Sequence, residues 1–486
     1  MGRVTAPHQV PPVPPAELPT TLGGLRAAGH HHRTVKQELR DNLLARMRTG
    51  GERFPGIVGY QDTVLPEVER ALLAGHDMVL LGERGQGKTR LIRSLVALLD
   101  EWTPVIPGSV LNEHPLHPLT PASRALVDSA GDDLPIGWLH RSMRYGEKLA
   151  TPDTSVGDLI GDVDPIRLAQ GRTLGDPETI HFGLVPRTNR GIFAVNELPD
   201  LAERIQVALL NVLEERDIQV RGYQLRLPLD LLLVASANPE DYTNRGRIIT
   251  PLKDRFGAEI RTHYPVGLEL ELALVRQEAD LVAEVPEHVL EVLARFARAV
   301  RESPSVDPRS GVSARFAIAA AETVAAAALR RSGLLAGAAS DGVRGEAAVA
   351  RVGDAVSVTS TLRGKVEFES GEEGREIEIL AHLLRAATAE TFRARLAGLD
   401  LSGFTALVAE GTVIETGELV SSAELLRQVG TVPGLAKALD RLDLGDAPTP
   451  EQAAAGVEFV LEGLHLTRRL GKDVTESGRT VYGGRG

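Results

Sequence analysis

Eight residues constrain this chain more than any others: GERGQGKT, at 82–89. They fit the spacing G-x-x-x-x-G-K-[ST]. A short apolar stretch, DMVLLG (77–82), precedes them, and a stretch with helical spacing, TRLIRSLVALLD (89–100), follows. In a strand, glycine-rich turn and helix of this kind, the backbone N–H groups of the turn and the amino end of the helix surround a phosphate chain. Gly82, Glu83, Arg84, Gly85, Gln86, Gly87, Lys88, Thr89 and Arg90 are then the binding residues. Lys88 reaches the β- and γ-phosphates, and the Thr89 hydroxyl holds Mg2+. A chance glycine-rich turn is the alternative, and the flanking strand and helix weigh against it. Alone, the loop says only that a nucleoside triphosphate binds.

Composition bounds the remainder. At 486 residues the chain has room for two to four domains. Its 43% apolar and 25% charged residues are those of a soluble globular protein, and with only 4% aromatics the cores should be aliphatic. It has no cysteine, which excludes disulfides and thiolate metal sites. A net charge of −12 argues against broad nonspecific DNA binding. No apolar run is long enough for a membrane span, and the first residues lack the apolar core of a signal peptide, so a cytoplasmic protein is expected.

The chain divides by pattern. Residues 1–20 are proline-rich and read as disordered. Residues 34–48, TVKQELRDNLLARMR, read as a helix ending at TGG, so 1–53 forms a leader. His30, His31 and His32 just before it read as a solvated loop, with a metal site as the alternative. From 54 to 265, apolar strands alternate with amphipathic helices, predicting an α/β core with a parallel sheet. The strands DMVLLG (77–82), GIFAVN (191–196) and LLLVASAN (231–238) are continuous apolar runs, as strands covered on both faces require. Residues 266–335 read as a small helical domain. Beyond it, 336–486 read as a mostly helical extension with a hairpin, AVSVTST and KVEFES (355–361, 365–370), a strand pair near 405–415, and a frayed end.

Several further motifs follow the phosphate loop in a fixed order. GIVGYQDTV (56–64) lies upstream of it, where an adenine-side loop belongs. GIFAVNELPD (191–200), VASANP (234–239), PLKDRF (251–256) and SGVSARFA (310–317) lie downstream. This order resembles an AAA+ ATPase, specifically the branch holding the magnesium-chelatase I subunits and the MoxR-type ATPases. Residues 154–198 are similar to the chelatase segment in which an inserted hairpin leads into the second metal-handling strand. Residues 215–241 resemble the hairpin placed before the sensor-1 strand. The resemblance covers roughly 54–330 and stops short of the last 150 residues. It implies a three-layer αβα P-loop core, a helical lid and an α-rich C-terminal extension, with ATP and Mg2+ as ligands.

It also implies roles. Glu197 polarises the attacking water, and Asn238 helps orient it, the alternative being an Asn-Pro turn at a strand end. Arg255 resembles an arginine finger supplied to a neighbouring subunit, against a salt bridge to Asp254 or Glu259. Arg315 resembles the sensor-2 arginine of the lid, with Arg309 a weaker candidate. Arg187 and Arg190 belong either to a subunit boundary or to a solvated loop. The family usually has Asp-Glu where this chain has Asn196-Glu197. Asn196 keeps one oxygen for a Mg2+-bound water and loses the charge, which implies slow hydrolysis rather than a dead site. Restoring the acid, Asn196→Asp, is then expected to raise turnover.

An arginine finger works only between subunits, so a homo-oligomer, a hexameric ring, is implied. Chelatase and MoxR systems work with a partner bearing a von Willebrand factor A-type domain. The Asp-x-Ser-x-Ser loop of such a domain is absent here, so the partner is a separate protein. The leading expectation is an ATPase that remodels a protein partner. Two alternatives stay open. One is a nucleic-acid motor of the minichromosome-maintenance type, for which Arg221 and Arg226 speak and the acidic GDVDP (161–165) does not. The other is a nucleotide-dependent scaffold with little turnover.

Overall fold

Five parallel strands carry the first half of the chain: β1 (Met78–Leu81), β2 (Tyr145–Leu149), β3 (Gly191–Asn196), β4 (Leu231–Ala237) and β5 (Ala258–Arg261). In space they run β5-β1-β4-β3-β2, every neighbouring pair parallel. They belong to a computed structural model that describes residues 12–164, 166, 169, 179–215, 218–220, 223–225, 227–239, 247–307, 311–338, 346–445, 447–475 and 479–483. The chain forms two compact units, 2–263 and 264–486.

The continuous apolar runs of β1, β3 and β4 are explained by what lies on each face. Val79, Leu81, Phe193, Val195, Leu233 and Ala235 face one hydrophobic core. The residues alternating with them, Met78, Leu80, Ile192, Ala194, Leu232 and Val234, face another. Two cores on opposite faces of one sheet make three layers. Strands β2 and β5 were not legible as apolar runs. They are the two edges of the sheet and are only partly buried, so they carry Glu147, Lys148, Glu259 and Arg261.

The helix expected at 34–48 is α1 (Val35–Thr49). A reciprocal capping box between Thr34 and Gln37 starts it, and Gly50 in the left-handed region stops it. Val35, Leu39 and Leu43 enter the second core. Glu38 forms a buried two-point ion pair with Arg144 at 2.6 and 2.7 Å, tying the helix to the start of β2. The chain before it is held too, because Trp138 Nε1 donates to the Pro19 carbonyl at 2.8 Å. Residues 1–11 of the proline-rich leader lie outside the described residues.

The histidine run is not a solvated loop throughout. His30 stacks on His114, and His32 stacks on His117, with centroids 5.3 and 4.7 Å apart, while His31 is exposed. Among the described residues no three potential metal ligands converge. Two antiparallel strand pairs, Gly161–Val163 with Ile180–Phe182 and Ile218–Val220 with Tyr223–Leu225, stand within the segments where the resemblance implies hairpins. Arg221 and Arg226 of the second, and Arg309, lie outside the described residues.

The second unit is mainly helical: α2 (Leu268–Glu278), α3 (Glu287–Arg301), α4 (Ala314–Ala338), α5 (Glu376–Leu396) and α6 (Pro450–Leu466). A single hydrophobic cluster runs through it from Leu272 to Tyr482. Three sequence expectations are overturned here. The segment read as the hairpin's first strand is helical, Val352–Val356 and Ser357–Thr361. Its buried residues Val352, Ala355, Val358 and Leu362 recur every three to four positions, and this period overrides the β-branched composition. Near 405–415 the chain is first a helix, Ser402–Ala409, and then one strand, Ile414–Thr416. That strand pairs with Thr480–Gly483, which also pairs with Gly471–Val474, so the end read as frayed closes a three-stranded sheet. Tyr482 anchors it, with its hydroxyl on Glu462 at 2.5 Å.

A candidate nucleotide site at the ends of three strands

The parallel order brings the carboxyl ends of β1, β4 and β3 side by side, the place where open α/β sheets receive ligands. The phosphate loop follows β1 directly. Gly85 and Gly87 have φ of 74° and 76°, a region side chains disfavour, and Gly87 caps the helix Lys88–Ser94. Gly82 is required by close approach: a Cβ there would lie 1.9 Å from Thr262 Oγ1 and 2.2 Å from Gln86 Oε1. Gln86 is fixed from two sides, its amide oxygen accepting from Thr262 Oγ1 at 2.7 Å and its carbonyl from the Tyr60 hydroxyl. Tyr60 comes from the 56–64 segment, and burial pushes its phenol up to about 12, so it remains a donor. Arg90 Nε donates to the Gly56 carbonyl at 3.0 Å, so that segment lies against the loop as the sequence predicts. Arg84 is exposed and Glu83 partly buried.

Lys88 is buried. Its ammonium donates to the carbonyls of Gly82 and Glu83, the latter at 2.8 Å, and to Asn238 Oδ1 at 2.9 Å. Asn238 follows the last residue of β4, and its amide is thus joined to the loop lysine across 150 residues of sequence. Thr89 Oγ1 donates to Asn196 Oδ1 at 3.2 Å, and Ser236 Oγ donates to the same oxygen at 3.1 Å. Lys88, Thr89, Asn196 and Asn238 therefore form one group. Glu197 follows β3 with φ of 58°, a conformation unusual for a residue with a side chain. Its carboxylate makes no hydrogen bond among the described residues, and strain of this kind gathers at functional sites.

The donor set suits a nucleotide. A loop that closes only without a Cβ at Gly82, a buried ammonium facing it and a hydroxyl beside an amide oxygen are what phosphates and a Mg2+ with several retained waters require. Arg255 ends the helix Thr250–Arg255 and is half exposed. Its ion pair is with Glu214, and not with Asp254 or Glu259; Lys253 takes Glu259, at 3.2 Å. Arg315 is exposed in the first turn of α4, in the second unit. Both readings of Arg190 are overturned. It is buried, and it donates to Pro104 O at 2.7 Å, Asn112 O at 3.1 Å and Thr103 Oγ1; burial lowers its pKa to about 9. Arg187 is exposed.

Sequence reasoning missed Glu147. It sits within edge strand β2, and its Oε1 accepts from Asn196 Nδ2 at 2.6 Å. Arg93 grips the same carboxylate at 2.8 and 3.0 Å, and the Tyr145 hydroxyl adds a bond at 2.9 Å. No motif marks this residue. Only the pairing of β2 with β3 brings it to the site.

No protein-family model matches the chain. It is similar to the magnesium-chelatase 38 kDa subunit of Rhodobacter capsulatus, 29% identical over 382 residues covering 75% of this chain and 93% of that one. That extent exceeds residues 54–330, so the likeness is not confined to them. The ChlI subunit of a Nostoc species is 30% identical over 235 residues, 47% of this chain and 59% of that one. The chain spans somewhat over half the length of that relative and of the ChlI subunit of Anabaena variabilis. A solved structure of the complex between subunits BchI and BchD of magnesium chelatase aligns at 22% identity over 67% of this chain and 98% of that one, with a TM-score of 0.35. The strand order, the phosphate loop and these curated subunits together make the chain similar to the AAA+ ATPases of the magnesium-chelatase I-subunit branch.

Proposed function

We propose that the protein is a ring-forming, Mg2+-dependent ATPase that couples ATP binding and hydrolysis to remodelling of a protein partner, a separate protein with a von Willebrand A-type domain. The observation that carries the ATPase reading is the convergence of Lys88, Thr89, Asn196 and Asn238 at the ends of three neighbouring strands, with Glu197 beside them. The turn's N–H groups and the Lys88 ammonium hold the phosphates. Bound Mg2+ supplies charge neutralisation at the phosphate oxygens. Glu197 takes the proton of the attacking water, and Asn238 couples the position of Lys88 to the strand end beside it. Arg255 breaks its pair with Glu214 to face the site of a neighbouring subunit. Arg315 serves as the sensor-2 arginine of a helical lid, residues 266–335. Residues 1–53 serve as a leader to the 54–265 core, and 336–486 as an extension. Among the described residues no helix is long and apolar enough to cross a membrane.

Two measurements test this. Purified protein should release phosphate from ATP with Mg2+ present, and it should co-elute in an ATP-dependent complex with a von Willebrand A-type protein encoded beside it. Binding without turnover, with or without that partner, would favour a nucleotide-dependent scaffold. Turnover stimulated by DNA alone would favour a nucleic-acid motor.

A further inference from the structure

Asn196 is unusual for what surrounds it. Its Oδ1 accepts from two hydroxyls, Thr89 and Ser236, at 3.2 and 3.1 Å. This fixes the amide so that Nδ2 points the other way, at Glu147 Oε1, 2.6 Å distant. An amide is the side chain of this size that can accept on one side and donate on the other. An aspartate at 196 would set a carboxylate oxygen against the Glu147 carboxylate at that separation. Two such acids cannot both ionise without large mutual repulsion. The asparagine and the glutamate therefore specify each other.

We propose that Glu147 supplies the negative charge at the Mg2+ end of the site, acting through Asn196 as a positioning residue. This rests on the nucleotide reading above. The acid is displaced by one strand, from the end of β3 to the middle of β2. Register makes this feasible: Leu149 pairs with Asn196, and Glu147 lies two residues earlier on the same face of β2. Arg93, one helical turn beyond Thr89, and Tyr145 hold the carboxylate in place. Arg93 is half exposed, so solvent screens its charge. Asn196 is buried and hands the polarisation of Glu147 to the oxygen that faces Thr89. On this basis Asn196→Asp alone does not raise turnover, contrary to what the sequence by itself implies, because it introduces the second acid without removing the first.

The test is ATP affinity by calorimetry as a function of free Mg2+, with Mn2+ paramagnetic resonance of the nucleotide complex as a second readout. Glu147→Gln keeps the size and the hydrogen bond. It should raise the Mg2+ concentration at half effect by about 10- to 100-fold, the loss seen when outer-sphere partners of a metal are removed, and leave Mg2+-free ATP affinity unchanged. Asn196→Asp should shift the midpoint the same way. The exchanged pair, Asn196→Asp with Glu147→Gln, should return the parent profile. A Glu147→Gln profile that overlays the parent overturns the proposal. So does an equal loss of Mg2+-free affinity, or an exchanged pair that melts like the parent and stays displaced. If Lys88→Ala binds ATP as the parent does, the nucleotide reading itself has failed, which is a separate result.

Discussion

Lys88, at the start of the helix after the phosphate loop, and Glu197, just beyond β3, face the site from different elements and should fail differently when changed. Lys88 brings the positive charge that the loop's neutral groups cannot replace. Lys88→Ala is expected to weaken ATP binding by about 100-fold, the upper range for hydrogen bonds to charged groups. Glu197 makes no bond that holds the loop. Glu197→Gln should bind ATP as the parent does and turn it over about 10²- to 10⁴-fold more slowly, as loss of a general base predicts. Calorimetry and phosphate release separate the two. Equal ATP affinity in both variants would remove the assigned pocket. The motif made Lys88 and Thr89 legible, because spacing along one loop is a local property. Asn238 was legible as the end of an apolar strand, whereas its bond to Lys88 was not.

At the scale of elements, α1 is held by two different devices. The first is the buried pair of Glu38 and Arg144. Glu38→Ala leaves the guanidinium without its carboxylate in the interior and should cost about 3–5 kcal/mol, read from the urea midpoint. The second is the set of stacked histidines before the helix. Burial first, and then the neighbouring His117, Arg190 and His30, lower His32 to about 4. Burial, followed by Arg190 and then His32, lowers His114 to about 2. Both begin from 6.5 when exposed. A histidine lowered in the fold is neutral there while the unfolded chain takes up the proton. Its contribution is therefore complete above pH 6.5 and is lost as the pH falls from there towards about 4. The melting temperature should drop over that window, and the double variant His32→Asn, His114→Asn should drop less. Parallel slopes for parent and variant would show that other groups carry the loss. Neither device was legible in the sequence, since each joins residues far apart along the chain.

For the whole molecule the question is assembly. Arg255 is half exposed at the end of a short helix and pairs with Glu214 on the surface, where an ion pair is worth about 0–1 kcal/mol and is easily exchanged. If it completes a neighbour's site, Arg255→Ala should bind ATP normally and lose about 10³-fold or more in turnover. Mixing it with Glu197→Gln should restore some turnover, because an intact arginine then meets an intact carboxylate across an interface. Co-assembled but inactive mixtures would end the case for action between subunits.

The sequence by itself determined the features set by local spacing: the phosphate loop, the capped helix 35–49 and the three central strands. Each depends on period, caps or glycines within one short window. Only the tertiary structure decided which strands form the edges, that the 352–361 segment is helical, and that residues 480–483 close a sheet, because burial on one face selects among periods the sequence leaves open. It also decided the partner of Asn196. An amide in place of an acid reads as a deficit along the chain, and becomes a matched pair only when strand pairing sets Glu147 beside it.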